Sequence, residues 1–156
     1  MVRYVFQCIL ATFTILLILL FLDVLTEAAI IASLGATAFI VFTMPYAYSS
    51  HPRPLIGGYI VGIAVGLFFN YIATSFFYNS LYVSNTVLVA IFGAISVGIA
   101  IFVMVATDTE HAPAAGIALG LILNEWDYMT IIFTITAVIL MAAMQRLLKP
   151  ILIDLI

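Results

Sequence analysis

The chain has 156 residues, of which 67% are hydrophobic and 7% charged, with a net charge of −3. A soluble domain is about 25% charged, so this chain cannot clothe a globule in water, and apolar runs near the ~20 residues of a bilayer-crossing helix mark an integral membrane protein. Four Lys/Arg cannot build the basic stripe that nucleic acid requires, and no zinc spacing, phosphate loop or dinucleotide fingerprint occurs; neither nucleic acid, a metal nor a cofactor is expected.

The first apolar run, Tyr4–Leu22, follows Arg3. It exceeds the ~7–15 residues of a signal core, and Asp23-Val24-Leu25-Thr26-Glu27 offers no A-x-A-like cleavage site, so a retained span is expected. Cys8 within it is the only cysteine, which excludes an intrachain disulfide and reads as a small buried thiol.

The second run, Ala28–Met44, is short and carries Ser33-Leu34-Gly35-Ala36-Thr37-Ala38. Small residues and hydroxyls in a short helix suit close backbone approach and a polar path, making Ser33, Gly35 and Thr37 candidate path residues. A loop with three prolines follows and holds His51 and Arg53, candidates for the mouth of that path, although Arg53 also suits a headgroup anchor. The third run, Leu55–Phe77, opens on Gly57-Gly58 and contains Gly62-x-x-x-Gly66, a helix-packing signal.

Asn85–Ala106 is the fourth run, and it ends at Thr107-Asp108-Thr109-Glu110-His111-Ala112-Pro113. Pro113 fits the first turn of a helix. The helix start there offers N–H groups to a small anion, with Thr109, His111, Pro113 and Gly116 as candidate site residues. His111 can donate a hydrogen bond and exchange a proton near neutral pH. Asp108 and Glu110 oppose an anion, and Asp108 or Thr109 as a simple cap is the competing reading. Asp108, Glu110 and His111 have no accepted metal-ligand spacing. The short run Ala112–Leu123 covers about 18 Å as a helix, roughly half the hydrocarbon core. Tyr128–Leu148 closes the set, and Trp126, Tyr128, Tyr78 and Tyr82 fall where an outer aromatic belt belongs.

Six crossings place Arg3, Arg53, Arg146 and Lys149 on one side, as the positive-inside rule expects, with both termini cytoplasmic. Each half then offers a long, a short and a long segment, about 4–77 and 85–148. The expected fold is an all-α polytopic bundle in one domain, 1–156, built as two inverted three-segment repeats with a site at their interface.

Three segments, Ser33–Ala38, Pro52-Arg53-Pro54-Leu55-Ile56-Gly57-Gly58 and His111-Ala112-Pro113-Ala114-Ala115, resemble the HPP family of small integral membrane proteins over about Ala28–Leu148. The family name comes from a His-Pro-Pro motif; here Ala112 takes the middle place, and the glycine that normally follows is displaced to Gly116. The resemblance implies a transporter of the prokaryotic cell (inner) membrane for nitrite or a similar small anion. The function expected is a passive or proton-coupled permease, assembled as a homo-oligomer in the lipid bilayer, and not an enzyme. A membrane scaffold that uses Gly62 and Gly66 to bind a partner is the alternative. A membrane enzyme built on Asp108, Glu110 and His111 ranks last.

Overall fold

The computed structural model describes residues 5, 6, 9, 28–79, 85–123 and 126–155. Apart from Val5, Phe6 and Ile9, which are helical and exposed, the first predicted span lies outside the described residues, as do Cys8, Asp23, Glu27, Tyr82, Asn124 and Glu125. Elsewhere the fold is all-helical: α1 (Ala28–Thr43), a 3-10 turn (Tyr48–Ser50), α2 (Pro52–Asn79), α3 (Asn85–Ala106), α4 (Ala112–Leu123) and α5 (Tyr128–Leu148).

Helix α2 begins three residues before the apolar run that announces it. Pro52 and Pro54 sit in its first turn, where a missing N–H leaves no intrahelical bond unmade, and Leu55 N–H donates to the His51 carbonyl at 3.1 Å. Three helices are long and apolar enough to cross a bilayer, over Pro52–Ser75, Val87–Ala106 and Tyr128–Leu148. The other two, α1 and α4, are apolar but shorter, so helix lengths alone do not supply the six spans expected.

Hydrogen bonds fix how the helices run. The Gln145 amide of α5 donates to the Pro45 carbonyl at 2.9 Å, and Leu155 N–H donates to Thr43 at 2.8 Å. Arg53 Nη2 donates to the Thr107 carbonyl at 3.2 Å, and Tyr48 Oη to the Asp108 carbonyl at 2.7 Å. The loop after α1, the connection from α3 to α4 and the C-terminal tail therefore meet at one end. Consecutive helices from α1 to α5 run in alternating directions. Arg53, Arg146 and Lys149 share this end, while Trp126 and Tyr128 stack edge to face at the opposite one, with ring centroids 6.3 Å apart.

Helix α4 is the centre of the bundle because its neighbours present small residues to it. Gly58, Gly62 and Gly66 stand one turn apart on α2. A Cβ on Gly58 would lie 2.9 Å from the Thr109 carbonyl oxygen, one on Gly62 would strike the Ala114 carbonyl, and one on Gly66 would lie 2.9 Å from Ala118 Cα. On another face, a Cβ on Gly116 would lie 2.7 Å from Ser33 Oγ of α1. From α3, Gly93 makes room for Leu119. Backbones in contact this closely gain dispersion, the main attraction between helices in lipid. Helix α5 contains no glycine, so it presents no glycine seam like that of α2.

Polar groups in the helices find partners inside the bundle, as a bilayer requires, and several hydroxyls do so locally. Ser33, Thr43, Thr74, Thr134 and Thr136 each return their hydroxyl to the carbonyl four residues earlier. Ile60, Phe68, Ile91, Ile95, Phe102, Ile132 and Ile139 point outward as an apolar surface.

Candidate functional site

Thr37 departs from that local rule. Its hydroxyl leaves α1 and meets two other elements, with Tyr59 Oη of α2 at 2.8 Å and His111 Nε2 at 2.9 Å. All three side chains are buried, with Thr37 and Tyr59 at 0% exposure and His111 at 1%. The other imidazole nitrogen, Nδ1, lies 2.9 Å from the Ser49 carbonyl in the 3-10 turn. A carbonyl oxygen only accepts, so Nδ1 carries a hydrogen, and in the neutral ring Nε2 presents a lone pair. Thr37 then donates to Nε2 and accepts from Tyr59. The chain has a direction, Tyr59 O–H to Thr37 O–H to His111 Nε2. The Tyr59 and His111 rings lie 5.8 Å apart, tilted by 40°.

The backbone places His111 here by a tightly closed helix end. Asp108 takes φ 51, the left-handed region, just after α3. Thr109 N–H donates to the Met104 carbonyl at 2.9 Å and Asp108 N–H to Val105 at 3.4 Å, the two bonds of a Schellman cap. Aspartate tolerates this conformation better than most residues. The turned chain then drops Thr109 and His111 against Gly57 and Gly58, whose missing side chains admit them: a Cβ on Gly57 would lie 2.6 Å from Thr109 Cγ2, and one on Gly58 2.9 Å from His111 Cβ.

Of the residues expected to form the site, Thr37 and His111 come together. Ser33 lies one turn from Thr37 and faces Gly116, a second contact between α1 and α4. Thr109 pairs its hydroxyl with Thr107 at 2.8 Å instead of reaching His111. Gly35 is on the exposed side of α1, with nothing within 4 Å of a Cβ placed there. Pro113 is buried in the first turn of α4. The start of α4 presents fewer donors than a helix start usually does: Pro113 has no N–H, and Ala114 N–H is taken by the His111 carbonyl at 2.9 Å. Arg53 is exposed, bonded to the Thr107 carbonyl and 3.7 Å from the Asp108 carboxylate. His51 is exposed, its ring 6.4 Å from that of Tyr48.

Tyr59 and Ser49 complete the cluster, and the pattern reading does not single them out. Tyr59 carries a signal in retrospect, since it sits inside a span and not at a belt position. Ser49 acts through its backbone, which no side-chain motif encodes. Beyond His111, on the α3 side, an apolar cleft of about 330 Å³ is lined by Ile101, Met104, Val105, Glu110, His111, Ala112 and Ala115. Glu110 Oε2 is buried there without a hydrogen-bond partner among the described residues. No group of three or more His, Cys, Asp or Glu among the described residues is arranged to hold a metal.

Residues 1–151 match the family model described as HPP, transmembrane region, and the chain belongs to that family. No curated protein matches it, and no solved structure does. Family and fold together make this an integral membrane protein.

Proposed function

We propose that the protein is a membrane permease for a small monovalent anion, with nitrite the first substrate to test, and that solute passes the Thr37–Tyr59–His111 cluster. The observation that carries this reading is the cluster itself. A fully buried histidine bonded to the Thr37 hydroxyl, and through it to Tyr59 on another helix, is costly among apolar helices, and buried ionisable groups in membrane proteins commonly face paths and cavities. A protein that only packed its helices would close Thr37 onto its own backbone, as the neighbouring hydroxyls do. Membership of a transmembrane family supports a membrane role but names no substrate.

The topology we propose has six crossings as two inverted halves, both termini cytoplasmic, in a prokaryotic cell membrane. The shared end of Arg53, Arg146 and Lys149 supports the orientation. Assembly as a homo-oligomer in the bilayer is part of the same proposal. The scaffold reading loses its main feature, since Gly62 and Gly66 are engaged inside the chain by α4.

The test is nitrite uptake into proteoliposomes of the purified protein against empty liposomes, with His111→Ala beside wild type. Uptake above the empty control that falls in the variant supports the reading. Folded protein that passes no nitrite, nitrate or formate overturns it.

A further inference from the structure

The hydrogen-bond chain at His111 has a consequence for how an anion moves, and it rests on the permease reading. In the neutral ring Nδ1–H is held by the Ser49 carbonyl and Nε2 accepts from Thr37. A proton arriving at Nε2 converts that nitrogen from acceptor to donor. Thr37 must then rotate its hydroxyl to accept from Nε2–H and donate to Tyr59 Oη. The Tyr59 hydrogen is left pointing away from Thr37, which is its one hydrogen-bond partner among the described residues. A buried donor without an acceptor is unfavourable, and so is an imidazolium without a counter-ion. A small anion answers both needs, and a neutral ring answers neither need of an anion, which would enter an apolar bundle with no donor and no opposite charge.

We infer that the cluster takes up one proton with each anion, His111 Nε2 holding the proton and the reversed chain ending in a Tyr59 O–H that donates to the anion. No bond other than to the proton forms or breaks. The pair carries no net charge, so the transport step is electroneutral symport. The anion fitted by this site is small and monovalent, since one imidazolium balances one charge.

The other charged or titratable groups at this end are few. α1 presents only hydroxyls to the site, Ser33 and Thr37. α2 supplies Tyr59 and, at its exposed first turn, Arg53. The 3-10 turn and the residue after it bring Tyr48 and His51, both exposed. The connection into α4 brings Asp108, held near Arg53, and Glu110, which lines the apolar cleft toward α3. α5 contributes the neutral Gln145 amide, bonded to Pro45, and near its C-terminal end Arg146 and Lys149, while Asp154 of the tail accepts from the Tyr46 N–H at 3.2 Å. Of these groups Glu110 alone lines the cleft beside His111, which makes it the rival proton carrier to test. No ion pair among the described residues joins it to His111.

The experiment uses the full chain with ring-15N histidine in detergent, and the same protein in liposomes enclosing a pH dye. The His111 resonances are assigned by their loss in His111→Gln. At neutral pH without nitrite they are expected to report the Nδ1–H tautomer. Nitrite in mildly acid medium is expected to give the doubly protonated ring, with about ten-fold more nitrite needed in Tyr59→Phe. Thr37→Ser is expected to keep the response and Thr37→Val to lose it. In liposomes, one proton should enter with each nitrite, and a potassium–valinomycin potential should not alter the rate. Voltage-driven nitrite entry with a ring that stays neutral overturns the coupling and leaves the permease standing. Coupled entry that survives His111→Gln but is lost in Glu110→Gln also overturns it, moving the proton to Glu110. Neither flux nor a nitrite-dependent ring change, in folded protein, overturns both readings.

Discussion

Replacing Thr37 with valine keeps the shape of the side chain and removes its hydroxyl. Two contacts go, at 2.8 Å to Tyr59 and 2.9 Å to His111, leaving one buried donor and one buried acceptor with no partner. Side-chain hydrogen bonds within membrane bundles average about 0.6 kcal/mol, with a maximum near ~1.7, and a buried orphan in a soluble core costs ~1–3. We therefore expect Thr37→Val to destabilise the bundle by about 1–3 kcal/mol. Tyr59→Phe removes one contact and should cost about 0.5–1.5 kcal/mol. The double variant loses the Thr37–Tyr59 bond once and leaves only Nε2 unpaired, so it should cost about 0.5–1.5 kcal/mol less than the sum of the singles. The assay is equilibrium unfolding in mixed micelles of rising SDS fraction, followed by circular dichroism. Additivity within ~0.5 kcal/mol would refute the chain. A negligible effect of Thr37→Val would mean that the hydroxyl turns back to its own helix like its neighbours.

Gly58→Ala should cost about 1–2 kcal/mol in the same assay, because overpacking against the Thr109 carbonyl at 2.9 Å outweighs the ~0.5–1 kcal/mol helix gain; Gly98→Ala, with nothing within 4 Å, should show that gain alone. At φ 51, Asp108→Gly should be neutral or stabilising while Asp108→Val should lose about 1–2 kcal/mol, read by thermal unfolding in detergent. Asp127 caps α5 by accepting from the Thr130 N–H at 2.7 Å and the Thr130 hydroxyl at 2.9 Å, which holds its carboxyl below the usual 3.8. A lowered folded value means that the cap's ionic contribution is present above the ordinary carboxylate range and lost as pH falls through the folded value. Wild type should thus lose an advantage over Asp127→Asn on acidification, and a gap independent of pH would contradict the cap.

The helices were legible because membrane spans advertise themselves. The apolar runs from Asn85 and from Tyr128 become α3 and α5 with the same ends, and Pro113 marks the start of α4 within a residue. Of the buried cluster, the sequence nominates two side chains. Thr37 and His111 stand 74 residues apart, and a hydroxyl in a short helix with a histidine at the start of another is enough to nominate both. Gly35 was nominated with Thr37 by sequence proximity, yet residues two apart on a helix face opposite sides, and Gly35 turns outward. Tyr59 was missed because a tyrosine inside a span looks like packing until its hydroxyl finds a partner on another helix.

The same physics explains why the cluster sits where it does. Thr37 can leave its own helix only if acceptors and donors from other elements come within 3 Å, and three glycines make that approach possible. Gly57 and Gly58 admit Thr109 and His111, and Gly62 lets α4 lie on α2 one turn further on. The left-handed turn at Asp108 aims the chain into that gap, and the Ser49 carbonyl then selects one tautomer. His111 is therefore positioned by backbone features on three separate segments. A substitution at Gly58 should disturb Nε2 as surely as one at Thr37, although Gly58 has no side chain to touch a solute. The tautomer of His111 in Gly58→Ala, read from its ring nitrogens, separates these roles: a mixed population ties packing to the site, and an unchanged Nδ1–H signal would confine the glycine to stability.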